Sequence, residues 1–339
     1  MSLSVSFPHF IPRMPYRLPH LRESKTRPFI HMATLEAHPT IDLPLEVLEL
    51  IVDEIATQGD KRTLRSFALV SRSFVARCQK HLFRTIDLGD KNVSGEEYYH
   101  LFFEILERRP KFCSYVEDLR LVDTYVWDQN KDSTWLVQED SICDLLDLLP
   151  NLHSFALSFN TSRPTWLSFN ACIRHSLMQL AKRPTIQSFS LSHIVDFPPP
   201  CLVTLTTIRR LRLHDVHVTQ AYLEDFFGVI LELVSPSVSS LDTLILKAPT
   251  SATIHVLQNI FQLYPEPTLK ALRISLLDEK NAELITESWN LIQWAAPSLT
   301  HLEWRPATRK NAVALRKYLF SPMTPSVKAT TSLQVHRPP

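Results

Sequence analysis

Residues Ile208–Leu213 read IRRLRL, and Leu241–Leu246 (LDTLIL) and Leu269–Ile274 (LKALRI) repeat the same apolar-x-x-apolar-x-apolar hexad. Four more copies occur: VEDLRL from Val116, LHSFAL from Leu152, IQSFSL from Ile186 and LTHLEW from Leu299. First positions are spaced 36, 34, 22, 33, 28 and 30 residues apart. With 45% hydrophobic residues, three matching positions arise by chance at roughly one site in eleven, so the hexad needs support from its surroundings. Four copies follow a Pro-x pair, at Pro150, Pro184, Pro267 and Pro297. A proline there stops a helix and starts an extended segment. Stretches of helical period fill the gaps at 139–149, 170–182, 220–233, 253–263 and 282–295. The expected unit is strand, loop, helix and return. One such unit cannot bury its apolar face alone, so neighbours must stack.

This pattern resembles a leucine-rich repeat, loosely. Such repeats usually carry Asn or Cys three residues after the last apolar position. Here those positions hold Thr124, Asn160, Ile194, Val216, Pro249, Leu277 and Ala307, and only Asn160 fits. The resemblance implies an α/β fold: an irregular solenoid over 116–320, parallel strands inside and helices outside.

Upstream, IDLPLEVLELIVDEI starts at Ile41. Pro44 suits a first helical turn, where its missing N–H is no loss. Val47, Leu48, Ile51 and Ile55 recur at helical spacing, as do Leu45 and Val52, with Leu50 on a neighbouring face. The helix has more apolar surface than a small unit can bury, so its second stripe needs a partner. A second helix is expected from about Thr63 to Val70, and Ser71 is a plausible N-cap for a third carrying Phe74, Val75 and Cys78. Gly59-Asp60 marks the turn between the first two.

The block 41–88 is similar to an F-box, above all to F-box proteins of mushroom-forming fungi. The residues that carry the likeness are Leu43, Pro44, Glu46, Val47, Leu48 and Ile51; then Val70, Ser71, Arg72 and Phe74; then Leu82 and Phe83. Phe74 stands where many F-boxes have Trp, which keeps an apolar anchor without the indole N–H. The resemblance implies docking on a Skp-family adaptor, and through it a cullin, with Leu43, Pro44, Val47, Leu48, Ile51, Ile55, Leu64, Val70 and Phe74 as apolar anchors. It implies a non-catalytic receptor subunit of a ubiquitin ligase, cytoplasmic or nuclear. A repeat scaffold without a ligase role remains the alternative. A helix over 96–108 is expected to link the two parts, within 89–115. Residues 1–40 and 321–339 are expected to be disordered tails.

Composition narrows the function classes. Lys plus Arg is 36 against 35 for Asp plus Glu, so no global field draws nucleic acid or membrane. Four glycines, Gly59, Gly89, Gly95 and Gly228, are too scattered for a phosphate-cradling loop. No apolar run approaches a membrane span. Five cysteines, at 78, 113, 143, 172 and 201, form no CxxC pair and read as separate thiols. His214 and His217 with Asp215, in LHDVH, lack a third ligand cluster, and they read as loop histidines with no metal or other cofactor. No hydrolase elbow or zincin motif occurs.

A target surface is expected beside the inward apolar positions of the strands. That column holds Arg120, Arg210, Arg212, Lys247, Arg273 and Arg305, interrupted by Glu303, with Ser154, Ser158, Ser188, Ser190 and Ser192 earlier. Clustered Arg suits an acidic or phosphorylated protein target.

Overall fold

The computed structural model describes residues 44–89, 95–123, 135–160, 163–205, 208–219, 241–262, 268–276 and 282–305. The expected tails and the helix over 220–233 lie outside these residues. The described residues from Leu45 to Arg305 belong to one compact unit.

Three helices come first: α1 (Leu45–Thr57), α2 (Lys61–Val70) and α3 (Arg72–Arg84). Gly59 has φ +75°, the left-handed conformation that lets the chain reverse after α1. Asp60 then caps α2, accepting the backbone N–H groups of Arg62 and Thr63 at 3.1 and 3.0 Å. Ser71 caps α3 through the N–H of Ser73. Val52, Leu64, Phe74 and Cys78 form a small core, with Leu48, Ile55, Phe67 and Leu82 packed on it. Asp53 on α1 ties down α3: Arg77 Nε donates to it at 2.7 Å and His81 Nε2 lies at the same distance. The Arg77 guanidinium is the main reason the Asp53 carboxyl is held well below the usual carboxylate range.

α3 runs straight into the first strand. Eight strands, β1 (Thr85–Asp87), β2 (Asp118–Asp123), β3 (Ser154–Phe159), β4 (Ser188–Phe197), β5 (Arg210–Val218), β6 (Thr243–Lys247), β7 (Ala271–Ser275) and β8 (His301–Arg305), form one sheet in chain order, all parallel. Between them lie α4 (Gly95–Arg108), α5 (Trp135–Gln138), α6 (Ser141–Leu148), α7 (Ala171–Lys182), α8 (Pro199–Leu205), α9 (Ser251–Gln262) and α10 (Ala282–Ala295). The class is therefore α/β, with a strand order that fits a solenoid-like stack.

The register follows the hexads. Leu119, Phe155, Phe189, Leu211, Leu244, Leu272 and Leu302 align across the sheet. Leu121, Leu157, Leu191, Leu213, Leu246, Ile274 and Trp304 make the next row, and both rows are buried. Most alternate residues stay at least part-exposed, with Val122, Ser192 and Glu303 buried among them, so one face of the sheet is covered and the other largely open. At the entry edge single carbonyls accept two N–H groups each: Glu117 from His153 and Ser154, His153 from Gln187 and Ser188, Arg209 from Asp242 and Thr243.

The helix expected over 96–108 is α4, and its Tyr99, Phe102 and Leu106 are buried in the main core. Two features lie outside the expectations. The sheet begins at Thr85, inside the block 41–88, with a strand of only three residues. Cys143 and Cys172 are not separate thiols but form a disulfide between α6 and α7, with Cα atoms 6.3 Å apart. They lie 29 residues apart in sequence, so packing of α6 beside α7 brings together what the sequence disperses.

Leu213→Ala should lower unfolding free energy by about 2–5 kcal/mol in denaturant melts, because the site is fully packed. Arg212→Ala, one residue away on the open face, should change it by less than about 0.5 kcal/mol.

Candidate functional site

The open face carries three rows of side chains. One row reads Ser154, Ser188, Arg210, Thr243, and the next Arg120, Ala156, Ser190, Arg212, Ile245, Arg273, Glu303. The third reads Val122, Ser158, Ser192, His214, Lys247, Ser275, Arg305. Small residues on β3 and β4 leave a basin of about 520 Å³, walled by Arg120 on one side and by Arg210, Arg212 and Lys247 on the other. The strands force this: with parallel partners about 4.8 Å apart, side chains at equal register stand shoulder to shoulder.

The basic column is not uniform. Glu303 is buried on β8 and ion-pairs with both Arg273 and Arg305. Arg273 and Arg305, both expected on the target surface, thus share one carboxylate while their side chains stay 41% and 52% exposed. Arg120 reaches Asp87 at 3.4 Å. Among the described residues Arg210, Arg212 and Lys247 form no ion pair, and all three are exposed. Free cationic charge therefore gathers on β5 and β6.

Beside it sits a buried carboxylate. Asp215 is only 5% exposed. His193 Nδ1 lies 2.8 Å from Oδ2, Arg163 Nε 2.8 Å from Oδ2, and His217 Nε2 3.1 Å from Oδ1. Burial would raise the Asp215 pKa, but the hydrogen bonds from His193 and His217 and the charge of Arg163 outweigh it and bring it down. An ionised carboxylate only accepts, so both histidines donate to it. His193 and Asp215 both have positive φ, 60° and 54°. The kinks break strand alternation, and Asp215 and Val216 are both buried. His193 also faces His214, with ring centroids 4.5 Å apart. Burial pulls the His214 pKa below the usual imidazole value, and His193, Lys247 and Arg212 add to this against the opposing Asp215.

His214 and His217, expected in a loop, both lie on β5. The structure gives His217 to Asp215 and puts His214 in the basin. The missed residue is His193, 22 positions upstream of Asp215. Spacing along one strand cannot find it; register between two strands can, since Ser192 pairs with His214.

The second candidate surface is on the helices. Leu43 lies outside the described residues. Leu64 and Phe74 are buried inside the three-helix core, and Leu48 and Ile55 pack against it. Direct surface contact is thus corrected to internal support for Leu64 and Phe74. Pro44, Val47 and Ile51 are exposed, and Val70 is 76% exposed. Leu45, Leu50 at 66% and Leu69 at 89% join them, of which Leu69 was missed. Leu69 falls on the polar-reading side of a short helix, and nothing in its spacing marks it.

No family model matches the chain, and no curated protein matches it in sequence.

Asp215→Asn should destabilise the protein at neutral pH by about 2 kcal/mol, since it removes the charge that three donors share. The folded pKa is depressed, so the carboxylate's contribution is complete above the unfolded value of about 3.9. It is lost as pH falls from there through the folded pKa. Thermal melts of both proteins should therefore converge in acid.

Proposed function

We propose that the chain is the substrate-receptor subunit of a Skp-cullin-F-box ubiquitin ligase, with an F-box at α1–α3 and an irregular leucine-rich-repeat horseshoe behind it. The carrying observation is the set of exposed apolar side chains on α1 and at the end of α2: Leu45, Val47, Leu50, Ile51, Leu69 and Val70. Large aliphatics left in water at this density mark a surface made for a partner. The small core beneath them is already filled by Val52, Leu64, Phe74 and Cys78, so nothing inside the module requires the outer stripe. Its fit to the F-box pattern makes the partner a Skp-family adaptor. The receptor itself supplies no chemistry. It raises the local concentration of a bound target near a conjugating enzyme.

The target surface is the basin. Arg210, Arg212 and Lys247, which form no ion pair among the described residues, line the basin beside a polar floor, which suits an acidic segment of a protein. Arg120 contributes from the far wall.

Leu50→Asp and Val70→Asp each remove an exposed anchor without touching the core. Each should weaken adaptor capture by at least about thirtyfold, the effect of losing about 2 kcal/mol at a central contact. Co-purification with the adaptor from purified components measures this. Unchanged capture in both variants would remove the receptor reading and leave a repeat scaffold. On the other surface, Arg212→Glu with Lys247→Glu should abolish target capture, whereas Arg273→Glu should act through stability because Arg273 serves Glu303.

A further inference from the structure

α6 and α7 are fastened to each other without their disulfide. At the start of the pair the Asn170 backbone N–H donates to the Val137 carbonyl at 3.3 Å, and the Asn170 side-chain amide donates to Asp140. At the far end Arg183 donates to the Leu146 carbonyl at 2.8 Å and to the Asp147 carboxylate at 2.7 Å. In between, Ile142, Leu145 and Leu146 of α6 and Ile173, Leu177 and Leu180 of α7 are buried in one core. These contacts, not the sulfurs, hold the helices in place. They leave the Cα atoms of Cys143 and Cys172 6.3 Å apart, within the span of a disulfide, so the bond can form or open with the backbone in place.

The two cysteines differ in setting. Cys143 is 5% exposed, whereas Cys172 is exposed. Cys172 stands in the first turn of α7, two residues after the N-cap Asn170, whose Oδ1 accepts the Cys172 N–H at 2.9 Å. No acidic residue lies in that turn. The positive end of a helix favours a thiolate, the form that reacts with oxidants. The other cysteines are poor competitors: Cys78 and Cys113 are buried and Cys201 is half-buried. Burial pushes all three thiols up, Cys201 to about 12.

We propose that Cys172 and Cys143 are a reversible oxidative modification site, in which a hydroperoxide oxidises Cys172 and Cys143 resolves it to the disulfide.

The chemistry runs in two steps. The Cys172 thiolate attacks one oxygen of the hydroperoxide and the O–O bond breaks. The leaving oxygen takes up a proton and departs as an alcohol, or as water from hydrogen peroxide, while Cys172 becomes a sulfenic acid. The Cys143 thiolate then attacks the Cys172 sulfur; the S–O bond breaks, the S–S bond forms, and the hydroxyl leaves with a proton as water. Two thiols have given up two electrons, and the hydroperoxide has taken them. A thiol reductant reverses the change by attack on the exposed side of the bond, since exposed disulfides are the labile ones.

The bond ties more than two helices. The loop it closes contains all of β3, whose Ala156 and Ser158 line the basin, and Arg163, which pairs with Asp215. Oxidation therefore staples one wall of the basin, and reduction loosens it with the fold intact.

None of this rests on the receptor reading. The test reduces the full chain with dithiothreitol, removes the reductant and adds hydrogen peroxide. Mass spectrometry should then find a peptide pair linking Cys143 to Cys172, and glutathione added to the folded protein should remove the link. Cys143→Ala should stop the reaction at the sulfenic acid, read as a dimedone adduct on Cys172. Cys143→Ser serves if circular dichroism shows the first variant misfolded. Cys172→Ser should give no adduct on Cys143. Amides of β3 should exchange hydrogen more slowly in the oxidised protein than in the reduced one. Thiols that both survive peroxide overturn the site. A link that glutathione cannot open in the folded protein makes it a permanent cross-link and overturns reversibility. An adduct on Cys143 in Cys172→Ser, or none on Cys172 when Cys143 is replaced, overturns the assigned roles. Equal exchange in the two forms overturns the staple on the basin wall.

Discussion

A strand of five or six residues with one apolar face has no stable existence alone, and this constraint organises everything from Thr85 to Arg305. Each strand of the sheet is short, between three and ten residues. Each depends on its two neighbours for hydrogen bonds and on the helices for cover. The parallel, chain-ordered arrangement follows, since a helix or loop must carry the chain back before the next strand can align. The two continuous apolar rows are the visible result. The twin-acceptor carbonyls at Glu117, His153 and Arg209 fix the starting level of each strand, so the rows cannot slip by one residue and turn their apolar side chains outward.

Fixed register is also what makes the open face more than a scatter of polar residues. Arg210, Arg212 and His214 are consecutive outward positions on β5, and Lys247 is placed beside His214 by pairing alone. The same rule neutralises the far end, where Glu303 falls level with Arg273. Charge on this face is therefore graded: small and hydroxylated on β3 and β4, cationic on β5 and β6, self-compensated on β7 and β8. No single residue produces that gradient.

Much of this was legible in the sequence. The seven hexads mark seven of the eight strands, and the stretch 282–295 matches α10 to the residue. Ser71 announces its helix start because capping is local chemistry, whereas Asp60, expected only as part of a turn, caps a helix that starts at Lys61, earlier than the Thr63 expected. What was not legible is non-local. β1 has only three residues and no hexad. The Cys143–Cys172 bond and the His193–Asp215 pair join residues 29 and 22 positions apart, where linear distance hides spatial contact. Leu64 and Phe74 show the opposite failure: an apolar residue in a helix period reads the same whether its face points in or out. The sequence places Glu303 in the same column as Arg273 and Arg305, but its burial between them cannot be inferred from residue type.

The chain-ordered sheet has one further consequence, as a ruler. Strands in a sheet are about 4.8 Å apart, and β1 follows directly from α3. Four strand steps separate β1 from β5, which sets roughly 19 Å across the sheet between the end of the helical module and the histidine-lined corner. That span is counted in whole strands. Lengthening a loop leaves it unchanged, whereas gaining or losing one strand with its return shifts it by a full step.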